Sequence, residues 1–134
     1  MGTVVVGFVT TREGEAALDR AIEETRLRSA ELVVVISHKG AAATVDEHQA
    51  ETDQDVARIS AKLTSAAVPH SIRNLVRGNS PAEDVLEVAD ETSADLIVIG
   101  LRRRTPVGKL ILGSNAQQIL LDASCPVLAV KASG

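Results

Sequence analysis

The sequence has no tryptophan and no tyrosine, and Phe8 is its one aromatic residue. With no large rings to fill an interior, the 45% of residues that are hydrophobic must build a core from valine, leucine, isoleucine and alanine. Small and branched side chains of that kind suit buried parallel strands. Cysteine is nearly absent as well: Cys125 is the single one, which excludes an intramolecular disulfide and any metal site built from clustered cysteines. In Ser124-Cys125-Pro126 it reads as a small residue tucked at the start of a strand rather than as a catalytic thiol. Positive charge is short too, since 14 lysines and arginines against 18 aspartates and glutamates give a formal net charge of −4. Such a chain offers no overall positive field to draw in a nucleic-acid backbone or an anionic membrane, so neither is expected as a partner. No apolar run approaches the length that spans a bilayer, and Val4-Val5-Val6 opens the chain without a charged segment and cleavage site before it. The expected address is cytoplasmic. Neither a repeat nor a linker interrupts the 134 residues, a length that fits one domain.

What is present is a series of five apolar runs: Thr3–Phe8, Glu31–Ser37, His70–Val76, Asp95–Gly100 and Pro126–Lys131. All but the third are near-continuous in Val, Ile and Leu, the pattern of strands covered on both faces. The third alternates, with Ile72, Leu75 and Val76 among polar neighbours, as a strand at a sheet edge does. Segments with helical spacing lie between the runs, giving the order β-α-β-α-β-α-β-α-β. From Arg12 to Arg28, Ala17, Leu18, Ala21 and Ile22 form an apolar face, while Glu13, Asp19, Arg20 and Glu24 face water. A second helix carries Val56, Ile59, Leu63 and Ala67, and the polar stretch before it, Gly40 to Asp53, is expected to be partly mobile. A third begins at Ser80-Pro81-Ala82-Glu83, which sets out a capping hydroxyl, a proline in the first turn and a carboxylate three residues after the serine. Val85, Leu86 and Ala89 then face the core. The fourth runs from about Ser114 to Asp122 with Ala116, Ile119, Leu120 and Ala123 apolar, and Pro126 stops it from continuing.

Strand-helix-strand crossovers are right-handed, so helices cover both faces of a parallel sheet only if the winding reverses. The expected fold is therefore α/β: a five-stranded parallel sheet of order 3-2-1-4-5 with helices on both faces. The reversal opens a crevice at the carboxyl ends of the first and fourth strands, beside Val9–Glu13 and Gly100–Ser114. The second of these segments, through Asn115, suits an anion. Gly100 and Gly113 permit tight turns and close backbone approach, while Ser114 and Asn115 are able to cap a helix whose free N–H groups and dipole favour a phosphate. Arg102, Arg103, Arg104 and Lys109 concentrate positive charge on the same loop. The same residues also describe a plain helix cap after a solvated loop, and both readings stand at this point.

In its spacing this segment resembles the universal stress protein family, whose members carry, after the fourth strand, a glycine, two residues, a second glycine, nine residues and then Gly-Ser or Gly-Thr. Gly100 matches the first glycine and Gly113-Ser114 the closing pair. Cys125-Pro126-Val127-Leu128-Ala129-Val130 resembles the family's last strand, and Val5-Val6-Gly7 its first. The resemblance implies a Rossmann-like, adenine nucleotide alpha hydrolase-like fold and a non-catalytic stress-response or regulatory role. It also implies ATP or another adenine nucleotide as ligand in some members, with none required, and a homodimer paired through the last strand. An apolar strand at a sheet edge needs such covering. The candidate nucleotide or anion contacts are Val9, Ser37, Gly100, Arg102, Arg103, Gly113, Ser114 and Asn115; the candidate dimer edge is Val127, Leu128, Ala129 and Val130. Two positions depart from the family pattern. Arg103 replaces the middle glycine, where its side chain either fills the phosphate's place or grips it. Val9 replaces the acidic residue with which nucleotide-binding members help to hold adenosine.

Groups suited to catalysis are thin. His38, His48 and His70 are dispersed, with no cysteine or paired acid at ligand spacing, and read as surface histidines. Gly108-Lys109-Leu110 lacks the hydroxyl with which a P-loop holds magnesium, and Gly7-Phe8-Val9-Thr10-Thr11-Arg12 lacks the glycines of a dinucleotide fingerprint. Asp53, Asp55, Glu83, Asp84, Asp90 and Glu91 read as exposed helix faces. The expectation is no enzyme and no metal. The alternatives are a slow ATP hydrolase acting at the Gly100–Asn115 loop and a dimeric interaction module with a closed site.

Overall fold

Alternating strands and helices build a five-stranded parallel sheet in a computed structural model that describes residues 2–37, 45–75, 80–101 and 113–132, with the backbone alone described at 37 and 45–52. The elements are β1 (Thr3–Phe8), α1 (Arg12–Arg28), β2 (Glu31–Ser37), α2 (Val45–Ala66), β3 (His70–Leu75), α3 (Pro81–Thr92), β4 (Leu96–Leu101), α4 (Ser114–Asp122) and β5 (Val127–Lys131). Strand order is β3-β2-β1-β4-β5, as expected, and each neighbouring pair is parallel. Val4 lies opposite both Leu32 and Leu96, so the central strand is paired on both sides. None of the described helices is long and apolar enough to cross a membrane.

Side chains alternate across a strand, and here both faces are covered. Val4, Val6 and Phe8 point into one core with Leu18, Ile59 and Leu63. Val5 points the other way, into a second core with Val85, Val88, Ile97 and Ile119. That double burial is why β1, β2 and β4 read as unbroken apolar runs. The same inference fails for β5, where Ala129 and Lys131 are exposed and the other residues only half-buried. Its apolar run reflects an outer strand, with β4 as its one partner among the described strands.

Helix boundaries follow local chemistry. The Thr11 hydroxyl caps α1 by accepting from the Gly14 N–H at 3.1 Å, and Ser29 ends the helix in the left-handed region at φ 50°. α2 begins at Val45, so Val45–Asp53, expected to be partly mobile, is helical; residues 40–44 lie outside the described set. Glu47, Gln49, Ala50 and Glu51 favour a helix even where no apolar stripe marks one. Ala67, expected on that stripe, sits past the helix end at φ 58° and is exposed, while Val68 turns into the core. On α4, Leu120 is 41% exposed, against expectation, and Ile119 carries the burial.

α3 has the full capping box: Ser80 Oγ accepts from the Glu83 N–H and Glu83 Oε1 from the Ser80 N–H, each at 3.2 Å. Ser80→Ala should cost about 1 kcal/mol, read as a lowered urea midpoint at unchanged slope. An unchanged midpoint would mean that Pro81 and the packing of α3 hold the helix start by themselves.

Candidate functional site

The winding reverses between β1 and β4, and at their carboxyl ends the chain leaves a cleft of ≈ 120 Å³. Phe8 and Val9 form one wall, Val35 and Ile99 continue it from the flanking strands, and Val85, Ala116 and Ile119 face them from α3 and α4. Gly7, Gly100, Pro81 and Asn115 complete the lining. The interior is thus apolar, and the starts of two helices stand at its mouth.

Two glycines let the walls close. A Cβ on Gly100 would overlap the carbonyl of Glu13, so the first turn of α1 seats against β4 only because residue 100 has no side chain. A Cβ on Gly14 would likewise overlap the Val9 carbonyl oxygen. That oxygen accepts from the Thr11 N–H at 2.9 Å. The turn after β1 is held close to its own helix, leaving the Val9 side chain 44% exposed at the cleft.

The start of α4 differs from expectation. Neither Ser114 nor Asn115 caps it: the cap residue is Gly113, which offers no side-chain acceptor, and Ser114 is the first helical residue, exposed. Asn115 Oδ1 instead accepts from the Ala82 N–H at 3.2 Å, stitching the starts of α3 and α4 together. Gly113 has φ −69°, and a Cβ there would meet no described atom within 4 Å. Its φ does not require a glycine, and no described side chain crowds it.

Of the candidate contacts, Val9, Gly100 and Asn115 line the cleft, and Gly113 and Ser114 lie just before it on the chain's path into α4. Ser37 ends β2 opposite Leu75, and its side chain lies outside the described residues. Arg102, Arg103, Arg104 and Lys109 lie outside the described residues, as do His38 and the side chain of His48. His70 starts β3, at the opposite end of the sheet, with Nδ1 2.9 Å from the Val68 carbonyl oxygen. Among the described residues no three His, Cys, Asp or Glu groups cluster as a metal site.

The acidic residues divide. Asp53, Glu83, Asp90 and Glu91 are exposed as expected, Glu91 pairing with Arg73 at 2.6 Å. Asp84 is not: it is 1% exposed, because it falls one turn before Val88 on the face of α3 that packs inward. Asp55 is partly buried and accepts from the Thr10 hydroxyl at 3.1 Å. The other lining residues are not among the sequence candidates, although for Phe8, Val35 and Ile99 the rule placing crevices at strand carboxyl ends points to them.

Cys125 is half-buried at the far end of the sheet, before β5. Burial pushes its thiol pKa up, and the negative charges of Asp90 and Asp95 push in the same direction. A raised pKa leaves less thiolate at any given pH, so alkylation by iodoacetamide should show a pH midpoint above that of a free cysteine peptide. A midpoint at or below the peptide's would contradict this environment.

The chain's likenesses agree with this geometry. The family model described as the universal stress protein family matches residues 1–131. A universal stress protein of Mycolicibacterium smegmatis is 42% identical over 131 residues, covering 98% of each chain. A universal stress protein structure from Archaeoglobus fulgidus superposes with a TM-score of 0.82 at 37% identity, covering 98% of each chain. Another from the same organism, in complex with dAMP, does so at 0.79 and 31% identity, again over 98% of each. With sheet order, loop spacing and end-to-end similarity in agreement, the chain belongs to the universal stress protein family.

Proposed function

We propose that this protein is a non-catalytic, cytoplasmic stress-response or regulatory protein that binds an adenine nucleotide in the crevice between β1 and β4 and works as a homodimer paired through β5. The observation that carries the nucleotide reading is the apolar cleft opening onto a helix start without a side-chain cap. An apolar cleft suits a purine ring, and first-turn N–H groups suit a phosphate. The dAMP held by the Archaeoglobus relative supports the same ligand class. Val9 offers no polar contact to the nucleoside, so base recognition here rests on burial. Apart from Asn115, the described side chains lining the cleft are hydrocarbon, which favours binding over acid–base chemistry. The partly exposed β5 edge, with Val127, Leu128, Ala129 and Val130, supports the dimer.

The test is a thermal-shift titration with ATP, AMP, cyclic AMP and inorganic phosphate, since a ligand that binds only the folded state raises apparent stability by mass action. A saturable rise with a nucleotide, lost in Gly113→Val, is the expected result. That variant is suitable because φ −69° accepts a valine and its Cβ meets no described atom within 4 Å. A rise with phosphate alone would reduce the crevice to an anion site, and no rise at all would sink the nucleotide reading. Sedimentation showing only monomer at micromolar concentration would sink the dimer.

A further inference from the structure

The rim of the cleft is gripped from outside by α2. Phe8 and Thr10 flank Val9, and each is touched by a different residue of that helix. Thr10 Oγ1 donates to Asp55 Oδ2 at 3.1 Å. Arg58, one turn further on, stands over the Phe8 ring with its guanidinium carbon 5.7 Å from the ring centre. Arg58 Nη1 also lies 2.6 Å from Glu15 Oε1 of α1, and Nη2 3.7 Å from Asp55 Oδ1. Lys62 extends the chain of contacts, 3.5 Å from Glu15 and 2.5 Å from Asp19.

An isolated exposed ion pair contributes little to global stability. Its effect on a short turn is different, because a contact there acts on the local geometry of a few residues. Within the turn, the Val9 carbonyl is held by the Thr11 N–H and the Gly14 N–H by the Thr11 hydroxyl. Those bonds shape the turn, whereas the contacts of Asp55 and Arg58 anchor it to α2.

We propose that Asp55 and Arg58 are positioning residues of the crevice, holding the Phe8–Thr11 rim in the geometry that admits a ligand. The consequence for binding rests on the nucleotide reading; the clamp itself does not. A site whose competent form is only fractionally populated shows an apparent affinity reduced by that fraction. Releasing the rim therefore weakens binding without removing any group that touches the ligand.

The experiment measures two quantities in Asp55→Ala, Thr10→Val and Arg58→Met: AMP affinity by calorimetry, and amide hydrogen exchange at Thr11 and Gly14. Arg58→Met keeps an apolar stem against Phe8 while removing the charge. Asp55→Asn retains an oxygen acceptor for Thr10 and serves as the conservative rescue. Arg73→Gln, which breaks the exposed Arg73–Glu91 pair between β3 and α3, is the control. The expected result is AMP binding weaker by about fivefold to tenfold in Asp55→Ala, Thr10→Val and Arg58→Met, with faster exchange at both amides and an unchanged melting temperature. Asp55→Asn and Arg73→Gln should stay close to the parent protein in both readouts. Unchanged exchange overturns the clamp whether or not any nucleotide binds. Faster exchange with unchanged AMP affinity, or an equal effect from Arg73→Gln, overturns the positioning role. A parent protein that binds no AMP defeats the nucleotide reading, and the exchange measurement still decides the clamp.

Discussion

Replacing Gly100 with valine should remove about 3 kcal/mol or more of stability and abolish any ligand response of the crevice. Overpacking a filled site typically costs about 1–3 kcal/mol, and the upper end applies when backbone must move instead of a flexible side chain. Here the obstacle is backbone. The first Cβ would already overlap the carbonyl oxygen of Glu13, and the carbonyl carbon lies 2.5 Å from the same point. α1 cannot simply retreat, because Thr11 caps its first turn and Gly14 seats that turn against Val9. Gly100→Ala should move stability in the same direction. Urea unfolding followed by circular dichroism measures both, and a valine variant within about 1 kcal/mol of the parent would show that α1 yields more easily than its contacts imply.

The second large effect is expected at Leu18, fully buried in the core beneath α1. Leu18→Ala should cost about 2–5 kcal/mol, the sum of lost burial and the cavity left behind. Two features favour the upper half of that range. The neighbours are mainly valine, leucine and isoleucine held on strands and helices, and Phe8 is the one ring in this core able to swing toward a void. Leu121→Ala provides the contrast, since this residue is 83% exposed and should change stability by no more than about 0.5 kcal/mol. Equal losses at the two positions would mean that Leu121 is buried by a contact in solution, and chemical denaturation at two protein concentrations would reveal it.

Much of the architecture was legible because both faces of the central strands are buried. Val4, Val5 and Val6 read as continuous because two cores demand it, and strand order then followed from the handedness of crossovers. The capping box of α3 was legible for a local reason, since all its parts lie within Ser80–Glu83. What escaped were features decided by partners distant in the sequence. Asn115 looked like a cap for its own helix, but its oxygen is taken by Ala82, 33 residues earlier. Asp84 looked like a solvated charge, and only the phase of α3 against the sheet shows that it is inside. Thr10 carried no signal at all until α2 brought Asp55 beside it. Leu120 belonged to an apolar pattern longer than the surface α4 has to cover.

The strand order also has a consequence for synthesis. β1 is made before both its partners; it pairs with β2, and β2 pairs with β3, so the β3-β2-β1 half of the sheet is complete in sequence before β4 has been made. Its other edge is different. Val4, Val5 and Val6 must wait for Leu96, Ile97 and Val98, more than 90 residues later, before their second row of hydrogen bonds forms. For most of translation the strand at the centre of the finished sheet is therefore its exposed border, apolar and open to pairing with another nascent chain. The residues that make the middle of this protein dry are the ones that leave its growing chain most in need of protection.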